Sequence, residues 1–217
     1  MPLPERVRRG VPDRLRFSVR LRGLALSAGL IPPRIMHSEA EAALLARLCA
    51  GLRTVVEIGV YEGSSSVVLA RALEPEATLH LIDPYTEEAL HPGWRGVPNA
   101  TRRVVERAAG EEGPRLVWHV ALSADVAASW TEPVDLVFID GDHTEVGVQL
   151  DWDVWNEHVS TGGLVVFHDA RSTQAGGAGL GPPSRLVDRL FRGPEPELPG
   201  WRIAGEADSA VAVERLA

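Results

Sequence analysis

Apolar runs of β-forming residues alternate with segments of helical periodicity along most of this chain. Runs that end abruptly at glycine or acidic residues predict strands buried on both faces. The predicted strands are Thr54–Ile58, Thr78–Ile82, Arg115–Val120, Val134–Ile139 and Leu164–Phe167. Helical spacing predicts helices at about 39–50, 65–73, 99–109, 124–130, 146–155 and 184–191. Two further runs, 201–205 and 210–214, predict an antiparallel hairpin. The alternation predicts an α/β fold, a doubly wound Rossmann-like seven-stranded sheet that this C-terminal hairpin completes.

The strand–helix–strand unit of residues 134–170 is the centre of this pattern. Val146, Leu150, Val154 and Trp155 recur at helical spacing, which predicts the buried face of the crossover helix. The turn Thr161-Gly162-Gly163 is predicted to end that helix. Because parallel crossovers are nearly always right-handed, both strands of the unit should end at the same edge of the sheet.

Polar residues follow both strands of this unit. Asp140-Gly141-Asp142-His143 follows the first strand, and His168-Asp169 follows the second. The carboxyl ends of parallel strands are where open α/β sheets bind their ligands. These two clusters are therefore candidates for the chemistry of the protein.

The chain divides into a leader, residues 1–37, and a domain, residues 38–217. The leader contains eight arginines and several prolines. An irregular arm on the main domain, a short packed element and a dimer contact all remain open for it. Ser38-Glu39-Ala40-Glu41 is a capping box that predicts the start of the first domain helix.

Composition indicates a soluble protein of one domain. The 217 residues are 45% hydrophobic and 24% charged, and no apolar stretch is long enough to span a bilayer. The single cysteine, Cys49, lies among apolar residues, which favours a buried, inert thiol and excludes a disulfide framework. We therefore expect a reducing, cytoplasmic location.

The charged residues limit which reaction mechanisms and which binding partners the protein can have. All 22 basic residues are arginine, so every lysine-based mechanism is excluded. The net charge of −8 argues against nucleic acid as a partner and is favourable for a cationic substrate, although acidity also simply aids solubility.

The first strand leads into a glycine turn and a helix. The glycines are Gly59 and Gly63, without the GxGxxG pattern that a dinucleotide pyrophosphate needs. Ser64 and Ser65 stand at the helix start, where hydroxyl and amide groups can bind a carboxylate. Asp83, at the end of the next strand, suits a bidentate bond to ribose hydroxyls. With Glu57 and Asp140 nearby, these residues suit a cationic ligand, such as an amino acid joined to adenosine through a positive sulfur.

The motifs EIGVYEG, LIDPY, FIDGDH and GGLVVFHDA, taken in order, resemble those of class I S-adenosylmethionine (SAM) methyltransferases. The similarity covers about residues 38–170. It is greatest to the metal-dependent branch that contains the macrocin and mycinamicin sugar O-methyltransferases and the cephamycin CmcI protein. The resemblance implies that SAM contacts Glu57, Gly59, Tyr61, Ser65 and Asp83, and that Ser123 lies near the adenine.

The same resemblance implies a divalent metal, most simply Mg²⁺, since the matching aspartates of metal-dependent relatives hold the ion. Asp140 and Asp169 offer the oxygen ligands that Mg²⁺ prefers. His168 stands where the sugar enzymes have glutamate, and an imidazole ligand would admit Mn²⁺, Fe²⁺ or Zn²⁺ more readily. His143 stands where catechol O-methyltransferase has its lysine base, so we expect it to be the general base.

Structural roles remain open at these positions. Asp140 and Asp169 could cap loops, His143 could cap the following helix, and His168 could orient the substrate. Asp142 is predicted to be a turn residue and Asp151 to make a structural bond. The histidines that we expect to be ordinary surface or core residues are His37, His80, His91, His119 and His158.

The sequence therefore predicts a SAM-dependent, metal-assisted methyltransferase. The expected acceptor is a hydroxyl or amino group on a sugar of a specialised metabolite, such as an antibiotic glycoside or an aminoglycoside. A catechol-type O-methyltransferase and a non-catalytic SAM-binding partner of a hydroxylase are the alternatives. The glycine-rich stretch after Asp169 is predicted to form a lid, and the aromatic Trp152 and Trp155 are expected in the core.

Overall fold

The computed structural model describes residues 18–86, 96–171, 181–192 and 196–217. Three features that the sequence analysis singled out lie outside these residues: the leader before residue 18, His91, and the glycine-rich stretch 172–180. No helix in the described ranges combines the length and apolar character needed to cross a membrane.

A seven-stranded sheet organises the described residues, with strand order β3-β2-β1-β4-β5-β7-β6. Its strands are β1 (Thr54–Ile58), β2 (Thr78–Ile82), β3 (Arg115–His119), β4 (Val134–Ile139), β5 (Val159–Phe167), β6 (Trp201–Ala207) and β7 (Ala210–Arg215). The first five are parallel, and β7 runs antiparallel between β5 and β6. The predicted doubly wound fold with a C-terminal hairpin is therefore confirmed.

Helices cover both faces of this sheet. They are α1 (Val19–Ser27), α2 (Glu39–Leu48), α3 (Ser64–Ala72), α4 (Pro98–Ala109), α5 (Ser123–Ala127), α6 (Glu145–Trp155) and α7 (Pro182–Phe191). Residues of α2, α3 and α4 pack on one face around Leu69, Leu79 and Phe138. Residues of α5, α6 and α7 pack on the other face around Trp155 and Phe167. Because both faces are buried, the central strands are almost wholly apolar.

The capping box at the start of α2 is present as predicted. The Ser38 side chain accepts a hydrogen bond from Glu41 N, and the Glu41 carboxylate accepts one from Ser38 N. The Ser38 hydroxyl also donates to Asp208 Oδ2 at 2.5 Å. The cap therefore ties the start of the domain to the turn between β6 and β7.

The buried face of α6 differs from the predicted one. Val146 and Leu150 are 78% and 45% exposed, whereas Val148, Trp152 and Trp155 are buried. The spacing of 148, 152 and 155 is equally helical, and it places two indole rings in the core. Their large apolar area outweighs that of a valine and a leucine. The expected core positions of both tryptophans are confirmed.

The Thr161-Gly162-Gly163 segment is not the turn that ends α6, so that prediction was wrong. The helix ends at Trp155, a 3₁₀ turn covers Asn156–His158, and β5 already begins at Val159. Gly162 has φ +78° inside β5, where the pairing with β4 shifts register between Val134 and Leu136. The glycine provides a positive φ for a bulge, not for a helix cap.

The described part of the leader forms α1, which packs against α4. A Cβ on Gly23 would lie 2.9 Å from Val97 Cγ2, and Leu26 is buried against Ala100 and Val104. Arg107 of α4 donates to the carbonyls of Ser27 and Leu26 at the end of α1. The leader is thus held on the face that carries the glycine turn.

Candidate active site

Gly59 brings the ends of β1 and β4 into direct contact. Its φ is +88°, and a Cβ there would lie 2.1 Å from the carbonyl oxygen of Asp140. No side chain fits at that distance, so only glycine allows the two loops to approach. The backbone ladder continues beyond the strands, since Asp140 N donates to Ile58 O at 2.9 Å and His168 N to Ile139 O at 3.1 Å. The ends of β1, β4 and β5 are consequently fixed side by side.

Asp83 fastens the glycine turn to the end of β2. Its Oδ2 accepts hydrogen bonds from Val60 N at 3.0 Å and Tyr61 N at 2.8 Å, and its Oδ1 accepts one from Tyr85 N at 2.7 Å. Tyr61 has φ +52°, a left-handed conformation that is strained for a residue with a side chain. Asp83, which is predicted to bind the ribose, therefore also shapes the turn.

Glu57 is fully buried at the end of β1. Its two carboxylate oxygens accept hydrogen bonds from Ser65 Oγ and Ser66 Oγ, both at 2.5 Å. Burial raises the pKa of Glu57 to about 8, and the charges of Asp140 and Asp83 add to this rise, while the two serine hydroxyls oppose it. Glu57 is consequently protonated at neutral pH in the free protein.

The start of α3 remains open to a ligand. Gly63 is its N-cap, with φ +84° and no side-chain cap hydrogen bond, and Ser64 is the first, partly exposed residue. The Ser65 hydroxyl is engaged with Glu57. The sequence analysis did not predict the hydrogen bond from Ser66 to Glu57, although Ser66 directly follows Ser65 at the start of the helix.

A cluster of imidazoles and carboxylates occupies the ends of β4 and β5. Asp140 Oδ1 lies 3.2 Å from His143 Nε2 and 3.0 Å from His168 Nδ1. Asp169 Oδ2 lies 3.4 Å from His143 Nδ1 and 3.7 Å from His168 Nδ1. The structure thus brings together all four residues that the sequence predicted for metal binding and catalysis. His143 does not cap α6, because Thr144 does so by accepting from Gly147 N.

The charges of this cluster stabilise one another. Burial lowers the pKa of His168, but Asp140, Asp169 and Glu41 outweigh it and raise the pKa to about 9. The hydrogen bond to Asp140 raises the pKa of His143. Burial opposes ionisation of Asp140, yet the two imidazoles hold its pKa below the ordinary value. In the free protein the cluster therefore concentrates negative charge around a protonated His168.

Glu41 is a member of this site that the sequence analysis assigned only to a helix cap. Its Oε2 lies 3.5 Å from His168 Nε2. Its Oε1 accepts hydrogen bonds from Ser209 N at 2.8 Å and Ser209 Oγ at 2.5 Å. The Ser209 hydroxyl also lies 3.2 Å from Asp169 Oδ1. No local signal predicts these contacts, which join residues far apart in sequence.

Three other predicted positions have clear structural partners. Ser123 donates its hydroxyl to Asp151, which gives Asp151 the structural bond that was expected. Burial raises the pKa of Asp151 to about 6, and the Ser123 hydrogen bond opposes this. Asp142 is a turn residue as predicted, since it accepts from Thr144 N and Thr144 Oγ1, both at 2.9 Å.

Among the remaining histidines, His80 and His119 form a pair away from this cluster. His80 Nδ1 lies 3.1 Å from His119 Nε2, and Trp130 packs edge-on against His80. Burial lowers the pKa of His80 to about 4, so His80 is a neutral core residue.

Comparison with known proteins identifies the family. The profile of a family described as a methyltransferase domain matches residues 56–170, more than half of the chain. The chain belongs to this methyltransferase family. The predicted class of enzyme is thereby confirmed.

Solved structures similar to this methyltransferase share its fold. Cofactor-bound Rv0187 from MTB has 20% identity and a TM-score of 0.59, with 99% of this chain and 98% of that chain covered. The O-methyltransferase TomG from Streptomyces achromogenes, in complex with SAM, has 17% identity and a TM-score of 0.60, covering 92% and 90%. An O-methyltransferase from Bacillus cereus in complex with SAH has 18% identity and a TM-score of 0.55, covering 99% and 94%.

The donor set of the methyltransferase fits a divalent cation. Oxygen and nitrogen atoms of Asp140, His143 and His168 lie within 4.8 Å of one another. Both ring nitrogens of His168 are buried, and although Nδ1 is 3.0 Å from Asp140, neither nitrogen has an aligned hydrogen-bond partner among the described residues. Loss of a proton from His168 would leave one of these nitrogens able to serve as a metal ligand. An imidazole beside carboxylates suits Mn²⁺, Fe²⁺ or Zn²⁺ better than Mg²⁺.

Proposed function

We propose that this methyltransferase transfers a methyl group from SAM to a hydroxyl or amino group on a sugar of a specialised metabolite, with the help of a divalent cation. The observation that carries the proposal is the contact between Gly59 and the backbone of Asp140. It places a turn suited to the cofactor directly beside a cluster suited to activating an acceptor. Cofactor and acceptor would therefore meet at one edge of the sheet.

The turn offers a complementary group for each part of SAM. The uncapped N–H groups at the start of α3 suit its carboxylate. Glu57, fully buried at the end of β1, would supply negative charge for its ammonium group, and loss of the Glu57 proton would accompany binding. Asp83 Oδ1 accepts one hydrogen bond from Tyr85 N and retains lone-pair capacity for a ribose hydroxyl. Ser123 lies at the start of α5, where the adenine is expected. The similar structures in complex with SAM and with SAH support SAM as the cofactor.

Methyl transfer is an in-line displacement at a carbon that the sulfonium already activates, so the enzyme must align and deprotonate the nucleophile. We assign the proton of neutral His143 to Nε2, which donates to Asp140. Its Nδ1, on the side of the exposed Asp169, then accepts the acceptor's proton. His143 is the more exposed imidazole, at 36% against 6% for His168, which suits contact with substrate.

Asp140, His168 and Asp169 would hold the cation. When bound, the cation would lower the pKa of a coordinated hydroxyl and fix its direction towards the methyl group. Glu41 would orient His168 from behind, as carboxylates orient metal-bound histidines.

The acceptor is inferred from charge and from the related structures. The net charge of −8 and the carboxylates at the sheet edge favour a neutral or cationic acceptor over an anionic one. TomG and the Bacillus cereus protein are O-methyltransferases, which favours oxygen as the acceptor atom. A catechol is the second candidate, because the cluster suits any acceptor that presents two adjacent oxygens.

The first experiment is a calorimetric titration of the purified protein with S-adenosylhomocysteine (SAH). We expect micromolar binding, weakened at least tenfold by Asp83→Asn. Asp135→Asn is the matched control, since Asp135 Oδ2 also accepts two consecutive backbone N–H groups, at 2.7 and 2.9 Å, at the opposite edge of the sheet. No binding of SAH by folded protein would refute the proposal.

A methyl-transfer assay then separates the candidate acceptors. Glycosides, aminoglycosides and a catechol are each offered with SAM, after EDTA treatment and after addition of Mg²⁺, Mn²⁺ or Zn²⁺. We expect turnover of a sugar substrate that EDTA abolishes and a metal restores. If only the catechol is methylated, the proposed acceptor is a catechol and not a sugar. SAH binding without transfer to any acceptor would favour the non-catalytic partner of a hydroxylase.

A further inference from the structure

Glu62 is a buried carboxylate inside the glycine turn that binds the leader. Its side chain is 2% exposed. Arg22 of α1 binds it in bidentate fashion, with Nε 2.5 Å from Oε1 and Nη2 2.6 Å from Oε2. Arg34 adds its backbone N–H at 2.7 Å from Oε2 and its Nη1 at 2.9 Å from Oε1. Each carboxylate oxygen thus accepts two hydrogen bonds, all from residues of the leader.

The neighbouring Tyr61 is fixed from three directions. Its N–H donates to Asp83 Oδ2, its carbonyl accepts from Thr101 Oγ1 at 2.8 Å, and its hydroxyl lies 2.7 Å from Arg34 Nη1. A residue other than glycine keeps a positive φ only when its surroundings enforce it. Asp83 and Thr101 belong to the domain, whereas the contact from Arg34 comes from the leader. The leader is therefore one of the supports of the turn conformation.

Breaking this arrangement would leave charge in a buried place. If the leader detached, the Glu62 carboxylate would lose all four hydrogen bonds described above while remaining in the glycine turn. A buried charge without partners is strongly unfavourable, so the turn would rearrange to bring Glu62 into water. Such a rearrangement would move Tyr61 and the amide groups that follow it.

We propose that Glu62, Arg22 and Arg34 are positioning residues, a clamp through which docking of the leader and binding of SAM stabilise each other. The inference rests on the proposed cofactor site. If SAM binds only the clamped turn, SAM binding must stabilise the docked leader. By linkage, docking of the leader must raise the affinity for SAM by the same factor. None of the three residues needs to touch the reacting atoms.

The test compares Glu62→Gln and Arg22→Gln with a control pair of the same chemistry. Glu214 binds Arg202 through Nε at 2.9 Å and Nη2 at 2.7 Å on the β6–β7 hairpin. We expect both clamp variants to bind SAH at least tenfold more weakly in calorimetry, while Glu214→Gln matches the wild type. Arg22→Lys keeps the charge and should recover most of the affinity. If Glu62→Gln does not fold, Arg22→Gln breaks the same ion pair and carries the test alone.

Limited trypsin digestion gives the reciprocal measurement, because the leader contains arginine sites such as Arg20 that every variant keeps. SAH should slow cleavage of the leader in the wild type and in Glu214→Gln, and much less in Arg22→Gln. If the clamp variants instead match the wild type in SAH affinity and in protection from trypsin, even with a lower melting temperature, the clamp has only a structural role. The inference would then be overturned while the proposed function stands. Failure of the wild type to bind SAH would overturn the proposed function as well.

Discussion

The protonation of buried Glu57 leads to a quantitative prediction about pH and stability. The pKa of Glu57 in the folded protein is raised from 4.5 to about 8, first by burial and then by Asp140 and Asp83. Below pH 4.5 the carboxyl is protonated in both states, so its contribution to stability is fully present. As the pH rises towards 8, the unfolded chain ionises while the folded protein does not. Stability is therefore lost across this window.

The size of the loss follows from the same values. Each pKa unit corresponds to about 1.4 kcal/mol, so the full difference between 4.5 and 8 gives an upper bound of about 5 kcal/mol. Glu57→Gln removes the titrating group and leaves a side chain of the same shape between the hydroxyls of Ser65 and Ser66. The free energy of unfolding of wild type minus variant should consequently fall by several kcal/mol between pH 5 and 8.

Urea denaturation at half-unit pH steps measures this difference directly. Other groups whose pKa is shifted, such as Asp151, titrate in both proteins and largely cancel. A second reading uses SAH binding at pH 7 in buffers of different ionisation enthalpy. We expect close to one proton released by the wild type and none by Glu57→Gln. A difference in stability that does not change with pH, or that increases with pH, would refute the argument that Glu57 is protonated.

Substitutions at three further positions test the site and the core. Asp169→Ala should abolish turnover and leave SAH affinity unchanged. Asp153→Ala, at an exposed position of α6, is the control. Activity retained by Asp169→Ala would contradict the metal role. Gly59→Ala places a Cβ 2.1 Å from Asp140 O, so a large fall in melting temperature and loss of SAH binding are expected, and near-normal behaviour would contradict the close approach. Trp155→Ala should cost about 3–5 kcal/mol in urea unfolding. Trp155→Phe should cost clearly less, because the buried Trp155 Nε1 has no hydrogen-bond partner in the described part of the chain.

The sequence predicted the parts of the fold that have a local signal. Strands buried on both faces are continuous apolar runs, and the observed bounds of β1, β2 and β4 are those predicted. The capping box of Ser38 and Glu41 also has a short-range pattern, and it was found. The same applies to Asp140 and His168, since each directly follows a strand whose neighbours the topology rules predict.

Features that depend on competition between alternatives were predicted less well. The face of α6 was misassigned because two sets of apolar residues share helical spacing, and only the packing of the sheet selects Trp152. Gly162 was read as a helix end because a positive φ serves equally in a cap and in a bulge. In both cases the local pattern was real, and the tertiary structure decided its use.

Contacts over long sequence distances had no signal at all. Glu62 reaches Arg22 across 40 residues, and Ser209 reaches Glu41 across 168. In the sequence Glu41 was assigned only to a helix cap, and no role was predicted for Glu62, Arg22 or Ser209. Their role appears only when the leader and the C-terminal hairpin are placed against the sheet edge.

The link between Glu41 and Ser209 has a consequence for synthesis on the ribosome. Residues emerge in chain order, and the hairpin of β6 and β7 comes after every other contributor to the sheet edge. Until Ser209 is in place, Glu41 lacks the two hydrogen bonds from Ser209, and Asp169 lacks its contact with the Ser209 hydroxyl. A nascent chain could thus fold its cofactor turn early and still carry an unfinished catalytic edge. On the proposed mechanism, methyl transfer would begin only after β6 and β7 have joined the sheet.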